Sequence, residues 1–470
     1  MKTKPNTLVG IQHDINRAYD SRADIMGNIW AFRSLERHLD MLCSRIGKRA
    51  LGSSGEKAAA GYILNEFRSY GLDKVYKDDF VFNAWKRGKA CLTVFGPDKR
   101  RFSLTAMGYS PSTPDGGLKG EMVIVESVLI KKQKSLTGKI ALIIPEEAGK
   151  GVRVEHSSIT VRRAAASGAR AVILASPKAR TVSGSFMNMA APIPAALIAR
   201  EDALWLKNQS SNGGGLAVNL HIKNKTGRQS VSYNIIGELT GRLWPDEKIM
   251  ITAHYDSQDN TVGALDDASG TAAVMELARL FSKCRERPAR TIQFVCFSGE
   301  EMGLLGSNAY AQSHLRELRN IVLMLAIDPA GSTNYWVGGF AGMLQWLSRF
   351  ASTAGWQNRA ERYVAYNTDC FPFLMRGVPS VWMMSRERRG WLFDTAYLTY
   401  GHTERDTLDK VDVFDVKEAM TVVADTCLCL ANARTRPDYY HNQRQVRQWF
   451  NRDSCLVDTL KNGGLWKLIK

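Results

Sequence analysis

The stretch EKIMITAHYDS, residues 247–257, is a short apolar run that ends in a histidine and an aspartate two positions apart, and it is the first of several strand-like runs that indicate the fold. Beyond it the chain alternates between helix and strand. The helical segments are SGTAAVMELARLFSKC (269–284) and the stretch after GEEMGLLGS (299–307), and the strand segments are ARTIQFVCFS (289–298) and NIVLMLAID (320–328). Nearly continuous apolar strands alternating with helices are typical of a sheet that is buried on both faces. The sequence therefore predicts an α/β fold with ligand-bearing loops at the carboxyl ends of the strands.

Length and composition predict a folded protein of more than one structural unit. The chain has 470 residues, of which 44% are hydrophobic and 23% are charged, and this length exceeds what one hydrophobic core usually supports. Residues 96–226 contain short β-rich runs without a cluster of acids, histidines or thiols. We expect them to form a separate β-rich module.

The charge and the cysteines limit which binding partners and which cellular compartment the sequence predicts. The net charge of +17 comes from Lys and Arg residues scattered along the whole chain, without a basic run interleaved with aromatic residues. This pattern favours a solvated basic surface and argues against a nucleic-acid partner. The eight cysteines follow neither a disulfide framework nor a metal-binding spacing, so free thiols are expected. The absence of a signal-peptide pattern and of an apolar stretch of membrane-spanning length predicts a cytoplasmic location.

One helix near the N-terminus has both of its ends marked in the sequence. The stretch SSGEKAAAGYILNEFRSYGL, residues 53–72, opens with a capping box of Ser53 and Glu56 and is expected to stop at Gly71. Its apolar residues recur at helical spacing, which predicts an amphipathic helix.

Polar residues stand at the end of each predicted strand of the α/β part. Taken one at a time they have ordinary explanations: Glu300 and Glu301 suit a helix N-terminus, Asp266 suits an N-cap, and His402 suits a surface loop. Together they form a set of two histidines and several acids at one edge of one sheet: His254, Asp256, Asp266, Asp267, Glu300, Glu301, Asp328 and His402. So many acids at one edge would repel one another unless a cation lay between them. The set therefore predicts a metal site.

The types of ligand residue narrow the choice of metal ion. Imidazole nitrogens and carboxylate oxygens without thiolates suit zinc, with cobalt or manganese as alternatives. The acids outnumber the ligands of one open zinc site, which favours two metal ions bridged by a carboxylate and a water.

Five ordered motifs resemble the zinc peptidase family of bacterial leucyl aminopeptidase and glutamate carboxypeptidase. They are HYDS (254–257), GALDDASG (263–270), SGEEMGLLGS (298–307), AIDPAGS (326–332) and GHTERDTLDKVD (401–412). The resemblance implies a mixed, mostly parallel central sheet flanked by helices. It also implies that residues 1–95 and 227–470 build one peptidase domain and that residues 96–226 form a protease-associated domain inserted into it. The inserted domain would serve as a spacer, a lid or a filter for substrate length.

The resemblance also assigns roles to single residues. One metal would be held by His254 and Asp328, the other by Glu301 and His402, and Asp266 would bridge both. Glu300 would be the general base in the hydrolysis of a peptide bond by a metal-activated water, and Asp256 would hold the imidazole of His254 in its ligating tautomer. A cis peptide bond is expected between Asp266 and Asp267.

A further stretch, YNTDCFPFLMRGVPSVWMM (366–384), resembles the family's segment between its aspartate and histidine ligands. Thr368 and Asp369 would then line the substrate pocket; a turn with a capping threonine is the alternative reading.

The function that the resemblance implies is that of an exopeptidase acting on peptide substrates, most often an aminopeptidase. A carboxypeptidase or dipeptidase of the same family stays open, as does a homo-oligomeric state. A glutaminyl cyclase, a transferase with one zinc, is a rival from another chemistry. A non-catalytic receptor-like protein is a rival from another class, but such relatives lose ligands or the base, whereas every expected position is filled here.

Overall fold

The structure is a computed structural model. The residues that it describes are 22–96, 99–126, 136–145, 157–176, 191–210, 215–330, 334–340, 342–349, 366–385, 400–452, 457 and 460–461.

The described residues form helices and strands in the alternating order that the sequence predicts for the α/β part. The helices are α1 (22–31), α2 (Ser34–Asp40), α3 (Ser54–Ser69), α4 (Ser157–Ala166), α5 (Arg200–Ser210), α6 (Ser269–Ser282), α7 (Leu305–Ser313), α8 (Met343–Ser348), α9 (Cys370–Leu374), α10 (Val413–Asn432) and α11 (Gln443–Phe450). The strands are β1 (Lys74–Val94), β2 (Arg100–Ala106), β3 (Leu118–Glu126), β4 (Ile140–Ile144), β5 (Ala171–Ala175), β6 (Ala195–Ile198), β7 (Leu216–Leu239), β8 (Trp244–His254), β9 (Arg290–Phe297), β10 (Ile321–Ile327), β11 (Asn334–Gly338) and β12 (Ser380–Ser385).

The central sheet is mixed, with parallel strands at its middle. Its order is β1-β7-β9-β8-β10-β12-β11. Strands β9, β8, β10 and β12 are mutually parallel, and the antiparallel pairs lie towards the two edges. The four parallel strands are apolar because helices cover both of their faces. This is the α/β architecture with a mostly parallel sheet that the sequence and the resemblance predict.

Two long strands connect the central sheet to a second group of strands. Residues 74–86 of β1 pair with residues 225–238 of β7 and form an antiparallel ribbon, here called the connecting ribbon. Further along the same two strands, β1, β2, β6, β5, β4, β3 and β7 pair in a closed ring. We call this ring, with α4 and α5, the barrel unit. The boundaries of a separate inserted domain at residues 96 and 226 stay a prediction, since β1 and β7 run continuously through both parts.

Separate apolar cores stabilise the two parts. The largest one packs helices, including α3, α6 and α10, against β7, β8, β9, β10 and β12. Helix α6 is buried on nearly every side and lies directly after the loop that carries Asp266. A second core fills the barrel unit, and a third lies between its strands and α4. The cysteines in the described part of the chain are free.

Among the described residues, no helix combines the length and the apolar character needed to cross a membrane. The cytoplasmic location stays a prediction.

The start of α3 differs in one detail from the capping box that the sequence predicts. Ser53 caps the helix as expected, since its Oγ accepts the backbone N–H of Glu56 at 3.1 Å, and Gly71 follows the helix end with φ +76°. The carboxylate of Glu56, however, does not return to the cap. It accepts the backbone N–H of Gly52 at 2.7 Å and the hydroxyl of Ser298 at 2.6 Å. The helix thereby holds the strand end that leads into Glu300.

Candidate metal centre

The site lies where three parallel strands end side by side. His254 is the last residue of β8 and pairs in register with Phe297, the last residue of β9. Glu300 and Glu301 follow β9 after one turn, and Asp328 directly follows β10. Because the strands are parallel, their carboxyl ends reach the same edge of the sheet. Loops between other elements add Asp266 and His402.

The side chains form two donor groups that share Asp266. One group contains His254, Asp266 and Asp328, and the other contains Asp266, Glu301 and His402. In the first, Nε2 of His254 lies 3.0 Å from Oδ1 of Asp266 and 3.6 Å from Oδ1 of Asp328. In the second, Nε2 of His402 lies 2.8 Å from Oδ2 of Asp266 and 3.2 Å from Oε2 of Glu301. Each oxygen of the Asp266 carboxylate thus faces a different histidine.

These distances are those of ligands arranged around a small cation. Zinc binds nitrogen and oxygen at about 2.0–2.2 Å, so two tetrahedral ligands of one ion are separated by roughly 3.4 Å. Nδ1 of His254 lies 3.4 Å from Oδ1 of Asp256, and a proton on Nδ1 leaves the lone pair of Nε2 directed at the oxygens of Asp266 and Asp328. Lone pairs directed at one another at this distance repel. A cation between them turns the repulsion into coordination, so the residues present fit a metal ion.

The charge balance supports the same conclusion. The buried carboxylates around the site are Asp256, Asp266, Asp267, Glu300, Glu301, Asp328, Asp369 and Asp406. In the part of the chain that the structure describes, the basic groups that face them include His254, His402 and the buried guanidinium of Arg49.

Burial, followed by repulsion from other acids, holds the pKa of Asp267 and Glu300 well above the usual range of a carboxyl. Burial also raises the pKa of Asp369 and Asp406 to about 7. For His402, burial acts to lower the pKa, but Glu301 and Asp266 outweigh it and raise the pKa to about 10. The crowded acids thus raise the pKa of one another and that of the imidazole of His402.

Solvent reaches the site from the side of His402. Its side chain is 27% exposed, whereas that of His254 is 1% exposed.

Asp256 connects three functional residues. Besides its contact with the imidazole of His254, its carboxylate oxygens accept the backbone N–H groups of Glu300 at 3.2 Å and Glu301 at 3.3 Å. A single carboxylate thus positions the ring of one metal-ligand candidate and the turn that carries the other two acids.

Three residues that the sequence did not single out also build the site. Asp406 accepts the backbone N–H groups of Leu265 at 2.7 Å and Asp266 at 3.2 Å and so orients the shared aspartate. Gln258 donates from its Nε2 to Oε2 of Glu301 at 2.6 Å. Asp406 lies inside a motif quoted from the sequence and Gln258 directly follows one, but nothing in a motif tells a positioning residue from its neighbours.

Arg49 is the third of these residues and is far from the motifs along the chain. Its guanidinium is fully buried and donates to the carbonyl oxygens of Tyr255 at 2.7 Å, Val262 at 2.6 Å and Gly263 at 3.0 Å. Arg49 therefore holds both ends of the loop 255–263, which leads from His254 to the segment that carries Asp266. More than 200 residues separate Arg49 from this loop, so no local sequence pattern could have indicated the contact.

Thr368 and Asp369 lie at the start of α9 and are buried. Asp369 lies close enough to Glu300 for its charge to raise the pKa of that residue, after burial and other charges. A turn is present as well, since the N–H of Phe371 bonds to the carbonyl of Thr368 at 2.9 Å, but no side chain caps the start of α9. The pocket-lining role of both residues stays a prediction.

The peptide bond between Asp266 and Asp267 is cis, as expected from the resemblance. A second cis bond, between Asp328 and Pro329, was not expected. Asp267 does not join either donor group. Its carboxylate accepts the backbone N–H of His254 at 3.3 Å and that of Gly270 at 2.9 Å.

Comparison with known proteins gives a family match for the part of the chain that carries the site. The sequence profile of peptidase family M28 matches residues 234–427. Carboxypeptidase Q of Xenopus laevis is 29% identical over 304 residues, which are 63% of this chain and 65% of that protein. Aminopeptidase YwaD of Bacillus subtilis is 30% identical over 305 residues, which are 63% of this chain and 61% of that protein. The chain thus matches less than two thirds of the length of these relatives.

Solved structures share the fold over most of the chain. A peptidase M28 precursor from Shewanella amazonensis superposes with a TM-score of 0.75 at 24% identity, covering 91% of this chain and 99% of that one. A zinc aminopeptidase from Bacillus subtilis superposes with a TM-score of 0.66 at 24% identity, covering 87% of this chain and 97% of that one. At this identity the likeness establishes the fold.

Proposed function

We propose that this chain, which carries a peptidase family M28 domain over residues 234–427, is a zinc-dependent exopeptidase that removes N-terminal residues from peptides. The observation that carries the proposal is the pair of donor groups that share Asp266, with Glu300 beside them. In support, relatives named carboxypeptidase Q and aminopeptidase YwaD each match 63% of the chain.

The residues that would hold the metal follow from the two groups. His254 and Asp328 would hold one zinc ion, Glu301 and His402 the other, and Asp266 would contribute one oxygen to each. Bound zinc supplies a Lewis acid that polarises the scissile carbonyl and lowers the pKa of a water molecule. The count of two ions belongs to this proposal.

Glu300 is the residue placed to move the proton. It precedes Glu301, is 7% exposed, and has its Oε2 4.0 Å from Nε2 of His254, so it faces the first donor group without belonging to it. As general base Glu300 takes a proton from the attacking water, and as general acid it returns that proton to the leaving amine. The adjacent Glu301 stays ionised, so neighbouring glutamates have different roles because their surroundings differ.

Other residues hold these groups in place. Asp256 fixes the turn of Glu300 through the backbone N–H group, and Glu56 fixes the preceding strand end through Ser298. Thr368 and Asp369, at the start of α9, are proposed to line the pocket on the far side of Glu300.

The experiment that tests the proposal is a panel of substrates with and without chelator. We expect the purified chain to release the reporter from aminoacyl reporters with a free amine, to lose that activity with a chelator, and to regain it with zinc. Glu300→Gln should retain the metal and lose about 10³-fold or more in kcat, since it removes the proton carrier. Failure of the parent chain to hydrolyse any free-amine or free-carboxyl peptide would overturn the proposal.

A carboxypeptidase is the second candidate, because relatives from several vertebrates that match 63% of this chain carry the name carboxypeptidase Q, at 26–29% identity. The same panel separates the two. Hydrolysis of peptides with a blocked amine and a free carboxylate, without release of aminoacyl reporters, would favour the carboxypeptidase, whereas hydrolysis of dipeptides alone would indicate a dipeptidase.

A further inference from the structure

Arg87 lies where the connecting ribbon meets the barrel unit, in an irregular part of β1. The pairing of β1 with β7 shifts register between Lys86 and Lys89, so Arg87 and Gly88 fall within a bulge. A bulge redirects the side chains of its residues out of the regular alternation of the strand. Here it directs Arg87 towards the metal centre and away from the ladder.

The side chain of Arg87 forms a bidentate ion pair with Asp259. Nε lies 2.9 Å from both carboxylate oxygens, and Nη2 lies 2.9 Å from Oδ1. The side chain of Arg87 is 13% exposed. A bidentate pair of this kind fixes orientation as well as distance, and a partly buried pair is screened less than one on the surface.

Asp259 lies between two residues that contact the second donor group. On one side, Gln258 donates from its side chain to Glu301 at 2.6 Å. On the other side, Asn260 donates from its Nδ2 to the backbone carbonyl of His402 at 3.2 Å. A shift of Asp259 would therefore move its neighbours Gln258 and Asn260, and with them their contacts to Glu301 and His402. Glu301 and His402 are the two residues that form the second donor group with Asp266.

We propose that Arg87 is a positioning residue that sets the Asp266–Glu301–His402 group from the junction of the connecting ribbon and the barrel unit. The inference rests on the proposed function, since it concerns the affinity of that group for zinc. It adds a structural role for the connecting ribbon and the barrel unit in the metal centre.

The barrel unit itself holds the bulge in place. The indole N–H of Trp85 donates to the carbonyl of Ser110 at 3.3 Å, and the hydroxyl of Tyr109 donates to the carbonyl of Asn83 at 3.0 Å. The guanidinium of Arg87 stands over the ring of Trp85, 5.5 Å from its centroid. Residues 109–110 belong to the barrel unit, so a continuous series of contacts leads from that unit to Asp259.

The first donor group has a different support. His254 ends β8 and Asp328 follows β10, and both strands lie in the middle of the central sheet. Ladder hydrogen bonds on both sides hold these strand ends. Loss of the Arg87–Asp259 pair should therefore weaken one zinc site and leave the other unchanged, which a general loss of stability would not do.

The test is a calorimetric titration of the metal-free full chain with Zn²⁺. We expect two zinc equivalents in the parent chain and a weakening of one by about 10-fold in Arg87→Met, as for other outer contacts of metal ligands. The weakened equivalent should be the one that His402→Ala loses. Arg87→Lys should recover part of the affinity, and the double variant with Asp259→Asn should be no weaker than either single one.

The matched control is Arg37→Met. Arg37 forms a bidentate pair with Glu66 at 2.9 and 2.7 Å, between α2 and α3 and away from the metal centre, so both zinc affinities should stay unchanged.

Parental zinc affinities in both Arg87→Met and Asp259→Asn, or an equal weakening of both equivalents, would overturn the inference. Should Arg87→Met not fold, the nearly isosteric Asp259→Asn decides alone. A parent chain that neither takes up zinc nor hydrolyses peptides would overturn the proposed function, and the inference with it.

Discussion

At the residue scale, the site depends on carboxylates that serve several neighbours at once. Asp266 offers one oxygen to each histidine, and Asp256 serves His254 together with the backbone of both adjacent glutamates. Such residues tolerate little change, because any substitution disturbs more than one contact.

Asp256→Asn tests this sharing. The amide keeps the size of the carboxylate but has a single acceptor oxygen, so one of the two N–H groups of Glu300 and Glu301 loses its partner. We expect zinc affinity and kcat/KM each to fall by about 10- to 100-fold, measured by calorimetric titration and by reporter hydrolysis. Asp246→Asn, at an exposed position of β8, should leave both unchanged. Parental values in Asp256→Asn would show that Asp256 does not position the site.

Most of the candidate site could be predicted from the sequence, because its residues mark the ends of strands. The alternation around residues 247–328 predicts parallel strands, and parallel strands bring their ends to one edge, so His254, Glu301 and Asp328 had to be neighbours. Of the residues that orient them, Asp256 was expected from the resemblance, whereas Asp406, Gln258 and Arg49 were missed. Arg49 reaches the loop from far along the chain, and a sequence gives no register between distant loops.

At the element scale, the N-terminal helices α2 and α3 pack through a buried histidine. Nδ1 of His38 lies 2.7 Å from the hydroxyl of Tyr62, and its Nε2 lies 3.1 Å from the hydroxyl of Tyr70. Burial, with the charge of Arg37 adding to it, lowers the pKa of His38 from 6.5 to about 4. The folded protein therefore binds fewer protons than the unfolded chain between these two values.

His38 should make the protein less stable in acid. The stabilisation is complete above about pH 6.5 and is lost as the pH falls towards 4, by up to about 3 kcal/mol in unfolding free energy. His38→Gln should remove this part of the pH dependence, and urea unfolding of both chains between pH 4 and 7.5 in one buffer series measures it. Parallel curves for the two chains would contradict the prediction.

The C-terminal helix α11 matched no pattern in the sequence, yet it packs behind the site. Phe450 is fully buried and meets Phe371 of α9 edge-to-face, with the ring centroids 6.2 Å apart. A short helix with few apolar residues gives little signal by itself. Its packing depends on a partner nearly eighty residues earlier, so only the structure reveals it.

Phe450→Ala should lower the free energy of unfolding by about 3–5 kcal/mol, because it removes a buried aromatic ring and leaves a cavity. Gln448→Ala, on the exposed side of the same helix, should change it by less than about 0.5 kcal/mol. Denaturant unfolding of both variants measures the difference. Equal values would show that α11 does not pack as described.

At the scale of the whole molecule, the sequence predicts which secondary structure each part contains better than it predicts how the strands of the two parts are joined. The texture of residues 96–226 indicates a β-rich module. In the structure, the paired strands β1 and β7 run from the central sheet into this module, and Arg87 lies on β1 where the two parts meet. Strand pairs that close a ring between distant segments cannot be assigned from local patterns, since each strand fits several partners.

The proposed function depends on the binding of two zinc ions by the two donor groups that share Asp266. The most direct test is the zinc content per chain after equilibrium dialysis, measured by plasma mass spectrometry. We predict about two zinc ions in the parent chain, about one in His402→Ala, and hydrolysis of aminoacyl reporters by the parent alone. A parent chain that binds no zinc, or one that binds a single zinc ion still present in His402→Ala, would contradict the account.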